Sequence, residues 1–354
     1  MKKIFPIITN FLIVTMILFI VVTDAEAGSA RRRGTSGAQE LLIPVGSVGT
    51  ALGGSFTAVI SGIEAAYWNP AGVANIEGTG EAMISHMTYI AGIDVSYAAV
   101  MVKAGGIGAF GASLKSINFG DIPITTTQSP DGTGEHYSPR YFTIGFLYSR
   151  VMTDRIKFGA SLNVLSEQIM RVSATGVSFD AGVQYATSPD GFRMGVVLRN
   201  LGTDMVFNGP DLEQEVIPPG TEPGTRQEPW RAPLASFEMP TQMEMGIAYG
   251  LFRSETMKLT VGGSFLNDNF SFDQYRLGAE LEFMNMFYLR GSYAIAEDPE
   301  NNKFVSNQED FMWGPGIGGG IKLNLGGANI KLDYAFRTTK YFDNNQWVSV
   351  RFGF

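Results

Sequence analysis

Strict two-residue alternation, repeated in segment after segment, is the feature that most limits what this chain can fold into. In residues 155–164, Ile156, Phe158, Ala160, Leu162 and Val164 fall on one side, and Arg155, Lys157, Gly159, Ser161 and Asn163 on the other. Phe179, Ala181, Val183 and Tyr185 stand in the same way against Ser178, Asp180, Gly182 and Gln184. Ile330, Leu332, Tyr334 and Phe336 oppose Lys331, Asp333 and Arg337. Successive side chains of a strand point to opposite faces, so each segment has one apolar face and one charged or tiny face. A soluble sandwich also alternates. These segments, however, run about 9–13 residues, the length of a tilted membrane-spanning strand rather than the usual 5–6 of a globular sheet.

About fourteen such strands can be counted, at 81–90, 93–103, 106–119, 140–150, 155–168, 175–187, 191–201, 241–251, 256–266, 272–283, 286–296, 312–324, 328–338 and 345–354. From the second strand onward short connections alternate with longer ones, notably 120–139, 202–240 and 297–311; the short link near Ala91-Gly92 is the exception. Outer-membrane barrels have this parity, with short periplasmic turns, long outer loops and an even strand number that leaves both termini periplasmic. Lipid offers no partner to free backbone groups, so such a sheet must close on itself. The expected fold is therefore an all-β membrane protein, an antiparallel barrel of about 14 strands in the outer membrane of a Gram-negative bacterium, over residues 81–354, with outer-membrane lipid as its surroundings.

Composition agrees. Charged residues make up 17% of the chain, below the roughly 25% of ordinary globular proteins. The net charge of −8 argues against a nucleic-acid partner, which would require a basic face. There is no cysteine, which removes disulfide and thiolate chemistry. Lys2, Lys3, the apolar run 4–22 and Ala25-Glu26-Ala27 read as a secretory signal peptide over 1–27. Residues 28–43 read as a flexible N-terminus and 44–80 as a compact helical hatch.

The final residues alternate Val348, Val350, Phe352 and Phe354 against Ser349, Arg351 and Gly353. This resembles the terminal signal that outer-membrane barrels present to their assembly machinery, with Val350, Phe352 and Phe354 as its apolar positions.

Catalytic and cofactor signals are weak. Gly-x-Gly-x-x-Gly occurs at 106–111 and 314–319, but a dinucleotide site needs that loop between a strand and a helix, and both matches lie in β segments. Ser85 and His86 are neighbours in the first strand, yet no Gly-x-Ser-x-Gly accompanies them. An enzyme is not expected, nor a cofactor or a metal. The loop carboxylates Asp204, Asp211, Glu213, Glu215, Glu222 and Glu228, and Asp298, Glu300, Glu309 and Asp310, would suit calcium. They lack a spaced ligand loop, and a solvated surface is the preferred reading. The lumen face carries both signs, including Arg155, Lys157, Glu244, Lys258, Arg276, Glu280, Glu282, Lys331, Asp333, Arg337 and Arg351. Such charges can pair across a filled interior.

The segment before the strands differs from all of this. "GGSFTAVISGIEAAYWNPAGVANI" holds Gly53, Gly54 and Phe56, then Glu64, then Tyr67-Trp68-Asn69-Pro70-Ala71-Gly72. Ser61 with Glu64 reads as a capping box, and Asn69 as a cap ahead of Pro70 in the first helical position. Tyr67 and Trp68 are expected to wedge against a barrel wall. Followed by about fourteen strands, this front motif resembles the PorV/PorQ family, a branch of the FadL-like barrels. That resemblance implies an N-terminal hatch plugging the lumen, with the ten named residues as its gating motif. It implies two different jobs. PorV-type members act in type IX secretion, receiving cargo proteins from the translocon, and this is the main expectation. The alternative is FadL-like transport of long-chain fatty acids or other hydrophobic compounds.

Overall fold

The computed structural model describes residues 32–217, 219–220, 226–298, 303–305, 311 and 313–354. The expected signal peptide lies outside these residues, as do Glu222, Glu300, Glu309 and Asp310 of the acidic loops.

Fourteen long strands form the wall. They are β1 (Gly80–Thr88), β2 (Asp94–Lys103), β3 (Ala109–Asn118), β4 (Arg140–Val151), β5 (Ile156–Ile169), β6 (Val172–Ala186) and β7 (Arg193–Gly202). The second half holds β8 (Gln242–Arg253), β9 (Met257–Asp268), β10 (Asp273–Phe283), β11 (Phe287–Asp298), β12 (Trp313–Leu325), β13 (Ala328–Thr339) and β14 (Asn345–Gly353). Each pairs antiparallel with the next, and β14 pairs with β1, so the sheet closes. Residue by residue, Ala82 meets Phe352 and Ile84 meets Val350 across the closing seam. Closure leaves no edge for lipid to strand.

Alternation decides which way each side chain points. On β6, Phe179 and Val183 face outward, while Ser178, Asp180 and Gln184 are buried in the lumen. On β14, Val348 and Phe352 are exposed on the outer face, as is Phe354 just past its end, and Trp347, Ser349 and Arg351 face in. The last carbonyl, that of Phe354, accepts the N–H groups of Thr79 at 2.7 Å and Gly80 at 3.0 Å, tying the chain end to the start of β1. Apolar lumen residues break the pattern on β1 and β2. Met83, Met87, Val95, Tyr97 and Met101 are buried there because they form the floor on which the hatch packs.

Two expectations about the connections need correction. β6 begins at Val172 rather than 175, so Met170 and Arg171 make a tight turn, with Met170 at a φ of 51°. A second link at the long-loop end is therefore short. The first Gly-rich match does not sit wholly within a strand either, since Gly105–Ile107 make a 3-10 turn ahead of β3. The match at 314–319 does lie within β12.

The hatch is a chain of short helical pieces inside the barrel: a 3-10 turn at Gln39–Leu42, α1 (Ser47–Ala51), a 3-10 turn at Gly62–Glu64, α2 (Ala65–Trp68), and a 3-10 stretch at Pro70–Asn75. Packing begins before the expected boundary at 44. Ala38, Glu40 and Leu41 are already buried, with Leu41 and Ala38 clustered against Leu165, Ala174, Met205 and Met239. The described start lies at the end of the barrel opposite Phe354. Gly34 donates to the Phe270 carbonyl and Gly37 to the Glu238 carbonyl, both at the long-loop end. Phe354 lies at the other end. The even strand count places only β1 and β14 together; the hatch then threads the full height of the lumen before β1 begins.

Candidate functional site

The plugged lumen is the candidate site, and its parts are the hatch residues and the wall residues that grip them. Glu64 is fully buried. Its Oε1 accepts the backbone N–H of Val48 at 2.8 Å and of Gly49 at 3.2 Å, which are free donors at the start of α1. The capping-box reading of Ser61 and Glu64 is therefore wrong: Ser61 makes no side-chain cap bond. Glu64 instead satisfies another helix's first turn, a remote cap that sequence spacing cannot reveal. Burial pushes its carboxyl up from the usual 4.5.

The Asn69 expectation holds. Its Oδ1 accepts from Ala71 N at 3.1 Å with Pro70 at the first helical position. The same side chain donates to the Thr57 carbonyl at 3.0 Å. It lies so close to Gly182 of β6 that a Cβ there would overlap Asn69, and a Cβ on Gly159 of β5 would overlap the Pro70 backbone. Glycine in these strands marks the close approach of the hatch. Gly53 and Gly54 have φ of 59° and 80°, a turn that side chains resist. Gly72 and Ala71 are buried beneath Ile60 and Ser149, and Phe56 packs over Gly262.

Tyr67 does meet the wall. Lys115 lies 5.2 Å and Arg199 5.9 Å from its ring centre, and burial lifts its hydroxyl to about 12. Its hydroxyl donates to the Leu41 carbonyl at 3.0 Å. Trp68 turns inward instead, donating to the Val45 carbonyl at 3.1 Å and packing on Gly49. The strand end contributes Trp347, which donates to the Pro44 carbonyl at 3.2 Å. Val350 and Phe352 instead pair with Ile84 and Ala82 of β1, and the Phe354 carbonyl holds Thr79 and Gly80 at the end of the hatch segment.

Charges pair across the interior, as a filled lumen requires. Glu244, at 0% exposure, receives Arg199 at 2.7 Å and Arg276 at 3.4 Å, and accepts the Thr57 hydroxyl of the hatch at 2.5 Å. Arg290 bridges Glu280 at 2.6 Å and Asp333 at 2.7 Å, and Arg351 reaches Asp333 at 2.5 Å. Where the hatch leaves the lumen, Glu77 binds Lys322 and Lys331, each at 2.9 Å. Burial works to raise the Glu77 carboxyl, but the two lysines outweigh it and hold it at about 2. Glu81 accepts from the N–H groups of Ile63 at 2.7 Å and Glu77 at 2.6 Å. Lys115 of β3 donates to the Glu40 and Ile43 carbonyls, both at 2.5 Å. Arg199, Arg290, Lys115, Glu77 and Glu81 were missed by pattern reading. The inward parity of the first three was the available signal.

The Ser85–His86 pair comes apart. Ser85 faces inward and bonds Ser349 at 2.9 Å, while His86 lies exposed on the outer face, 3.3 Å from Ser96. In the acidic loop, Asp211 pairs with Arg171 and Glu213 with Arg231 rather than gathering around one point.

Three of the spaces formed by the described residues bear on the hatch. A polar chamber of about 860 Å³ opens at the short-turn end, and a pocket of about 40 Å³ lies between Tyr67, Lys115, Asp180 and Arg199. The third is an apolar groove of about 610 Å³ on the outer wall, lined by Ile247, Tyr249, Val261, Leu277 and Tyr293. Its floor includes Gly262 and Gly278, whose inner sides touch Phe56 and Ser55 of the hatch. The wall between lipid and hatch is one backbone thick there.

A closed, hatch-filled 14-stranded antiparallel barrel is the FadL-like outer-membrane fold. Among solved structures, the chain is similar to the P. putida toluene transporter TodX, with a TM-score of 0.54 and 14% identity over 87% of this chain and 98% of that one. It is also similar to the CymD monoaromatic hydrocarbon channel, with a TM-score of 0.52 and 13% identity over 88% and 98%. A Pseudomonas aeruginosa FadL homologue aligns with a TM-score of 0.50 and 11% identity over 88% and 98%. No family model and no curated protein matches the chain. At these identities the likeness bears on the fold.

Proposed function

We propose that this barrel sits in the outer membrane and carries hydrophobic compounds across it, past the hatch. The observation that carries this reading is the outer-wall groove. A lipid-dissolved molecule resting on Ile247, Tyr249, Leu277 and Tyr293 is separated from hatch residues Ser55 and Phe56 only by the backbone at Gly262 and Gly278. The similar structures described as toluene and monoaromatic hydrocarbon channels support the same reading, and favour it over secretion. It is not an enzyme on this reading, and the lumen's buried charges hold the hatch rather than perform chemistry.

The secretion alternative of the PorV/PorQ type rests on the front motif, Gly53 to Gly72. In this chain those residues are engaged in hatch packing and grip of the wall. The two readings separate experimentally. Uptake of radiolabelled toluene and of a long-chain fatty acid by a deletion strain is compared with the same strain complemented by the wild-type gene. Transport requires that at least one uptake rate falls on deletion and returns on complementation. Unchanged uptake of both, together with recovery of translocon or cargo proteins when the barrel is affinity-purified in mild detergent, would instead establish the secretion role.

A further inference from the structure

Below the hatch, the chamber of about 860 Å³ is lined by seven basic side chains, and they fall into two groups. Arg290 and Arg351 are neutralised by Glu280 and Asp333, Lys331 by Glu77, and Lys258 by Asp190 at 3.3 Å. The side chains of Arg155, Lys157 and Arg193 make no hydrogen bond or ion pair among the described residues. All three belong to one sector. Lys157 on β5 is level with Gln184 of β6, and Arg193 begins β7 on the other side of β6. Between them, Gln184 donates its Nε2 to the Thr57 and Ile60 carbonyls of the hatch at 3.1 and 2.9 Å. The hatch thus roofs this sector.

Arg193 is the telling member. Its Nε and Nη2 are enclosed without any acceptor. A guanidinium loses hydration when enclosed and ordinarily regains it through an acceptor, so donors left in this state mark a place for one. A guanidinium presents a planar fork suited to two oxygens, and an ammonium beside it supplies a second, point-like charge. The unpaired acids lining the chamber, Asp154 and Glu282, belong to a turn and to β10. Neither forms an ion pair with these two cations among the described residues, and Asp190 and Glu280, the acids whose charges act on Arg193, are paired with Lys258 and Arg290.

We propose that the chamber is an anion-binding site in which Arg193 and Lys157 hold the oxygens of a carboxylate or phosphate group, with Arg155 at its outer edge. This goes beyond the transport reading and does not depend on it, since the site is read from wall residues alone.

The test uses the full-length barrel, folded in detergent, titrated calorimetrically with inorganic phosphate and separately with acetate at constant ionic strength. Saturable binding is expected, weakened at least about ten-fold in the Lys157→Gln, Arg193→Gln double variant, since charge-assisted bonds are lost. Arg150→Gln, on the outer face of β4, should bind as wild type. Phosphate binding alone assigns a tetrahedral ligand, and acetate binding as well extends it to carboxylates. If the double variant does not fold, as judged by lost resistance to detergent unfolding, Lys157→Gln alone carries the test and should still weaken binding. No saturable heat with either anion, or unchanged affinity in the folded variants, overturns the proposal.

Discussion

Glu64 accepts the backbone N–H of Val48 at 2.8 Å, across sixteen positions of sequence and entirely inside the barrel. One carboxylate therefore joins the two helical ends of the hatch. The bond is to a charged or proton-sharing group in a dry site, where such bonds contribute about 1.5–3 kcal/mol. Replacing Glu64 with Ala should raise amide exchange at Val48 and Gly49 by about ten-fold or more while the β-strand amides stay protected. Equal protection in the variant would show that the bond does not hold the hatch.

The same residue sets a pH dependence. Burial raises the Glu64 carboxyl above 4.5, so between 4.5 and that raised value the folded hatch keeps a proton the unfolded chain has lost. Hatch stability is fullest below 4.5 and declines as pH climbs through this window. Exchange rates at Val48 measured against pH should show the decline in wild type and a flat profile in Glu64→Gln.

Glu77 works with the opposite sign. Held at about 2 by Lys331 and Lys322, it stabilises the hatch exit above 4.5 and releases it as pH falls towards 2. Protease sensitivity near 74–79 should therefore rise on acidification. In Glu77→Gln it should be high already at neutral pH and should change little with acid.

The wall glycines should be intolerant of even one carbon. Gly182→Ala forces a Cβ onto Asn69, an overpacking that costs about 1–3 kcal/mol. The barrel, held by fourteen closed strand pairings, should still assemble. The hatch should be displaced, and cells carrying the variant should become more sensitive to bulky antibiotics than cells carrying Gly291→Ala, whose Cβ meets only the Gly316 carbonyl oxygen at an ordinary 4.0 Å.

Glu244→Gln tests the wall side of the grip. Removing its charge leaves Arg199 and Arg276 without their shared partner inside the lumen, a loss of about 3–5 kcal/mol for a buried pair. The thermal transition of the variant should fall, and a second substitution, Arg199→Gln, should restore part of it. Full additivity of the two losses would deny the pairing.

Much of this was legible in the sequence. Alternation placed Ser161, Asp180, Asp333 and Arg351 in the lumen and Leu332, Val348 and Phe352 in lipid, because the side-chain period of a strand leaves no third choice. The Asn69-Pro70 cap was readable because both partners are within two residues. Partners distant in sequence were not readable. Glu64 looked like a local box because its true donors, Val48 and Gly49, precede it by a full helix and turn. Lys115 and Arg199 had the right parity, but nothing local says that parity ends on a hatch carbonyl or a hatch ring. The course of the N-terminus towards Phe270 and Glu238 was hidden for the same reason.

Movement of the hatch during uptake is open to one direct measurement. Ser47 of the hatch and Ser349 of the wall place their hydroxyl oxygens 2.8 Å apart, and the chain has no cysteine of its own. A Ser47→Cys, Ser349→Cys variant can therefore be cross-linked at that one point and opened again by a reductant. Hydrocarbon uptake by cells carrying it should fall to the level of the deletion strain when oxidised and return on reduction. Equal uptake by the oxidised and reduced forms would contradict transport past a moving hatch.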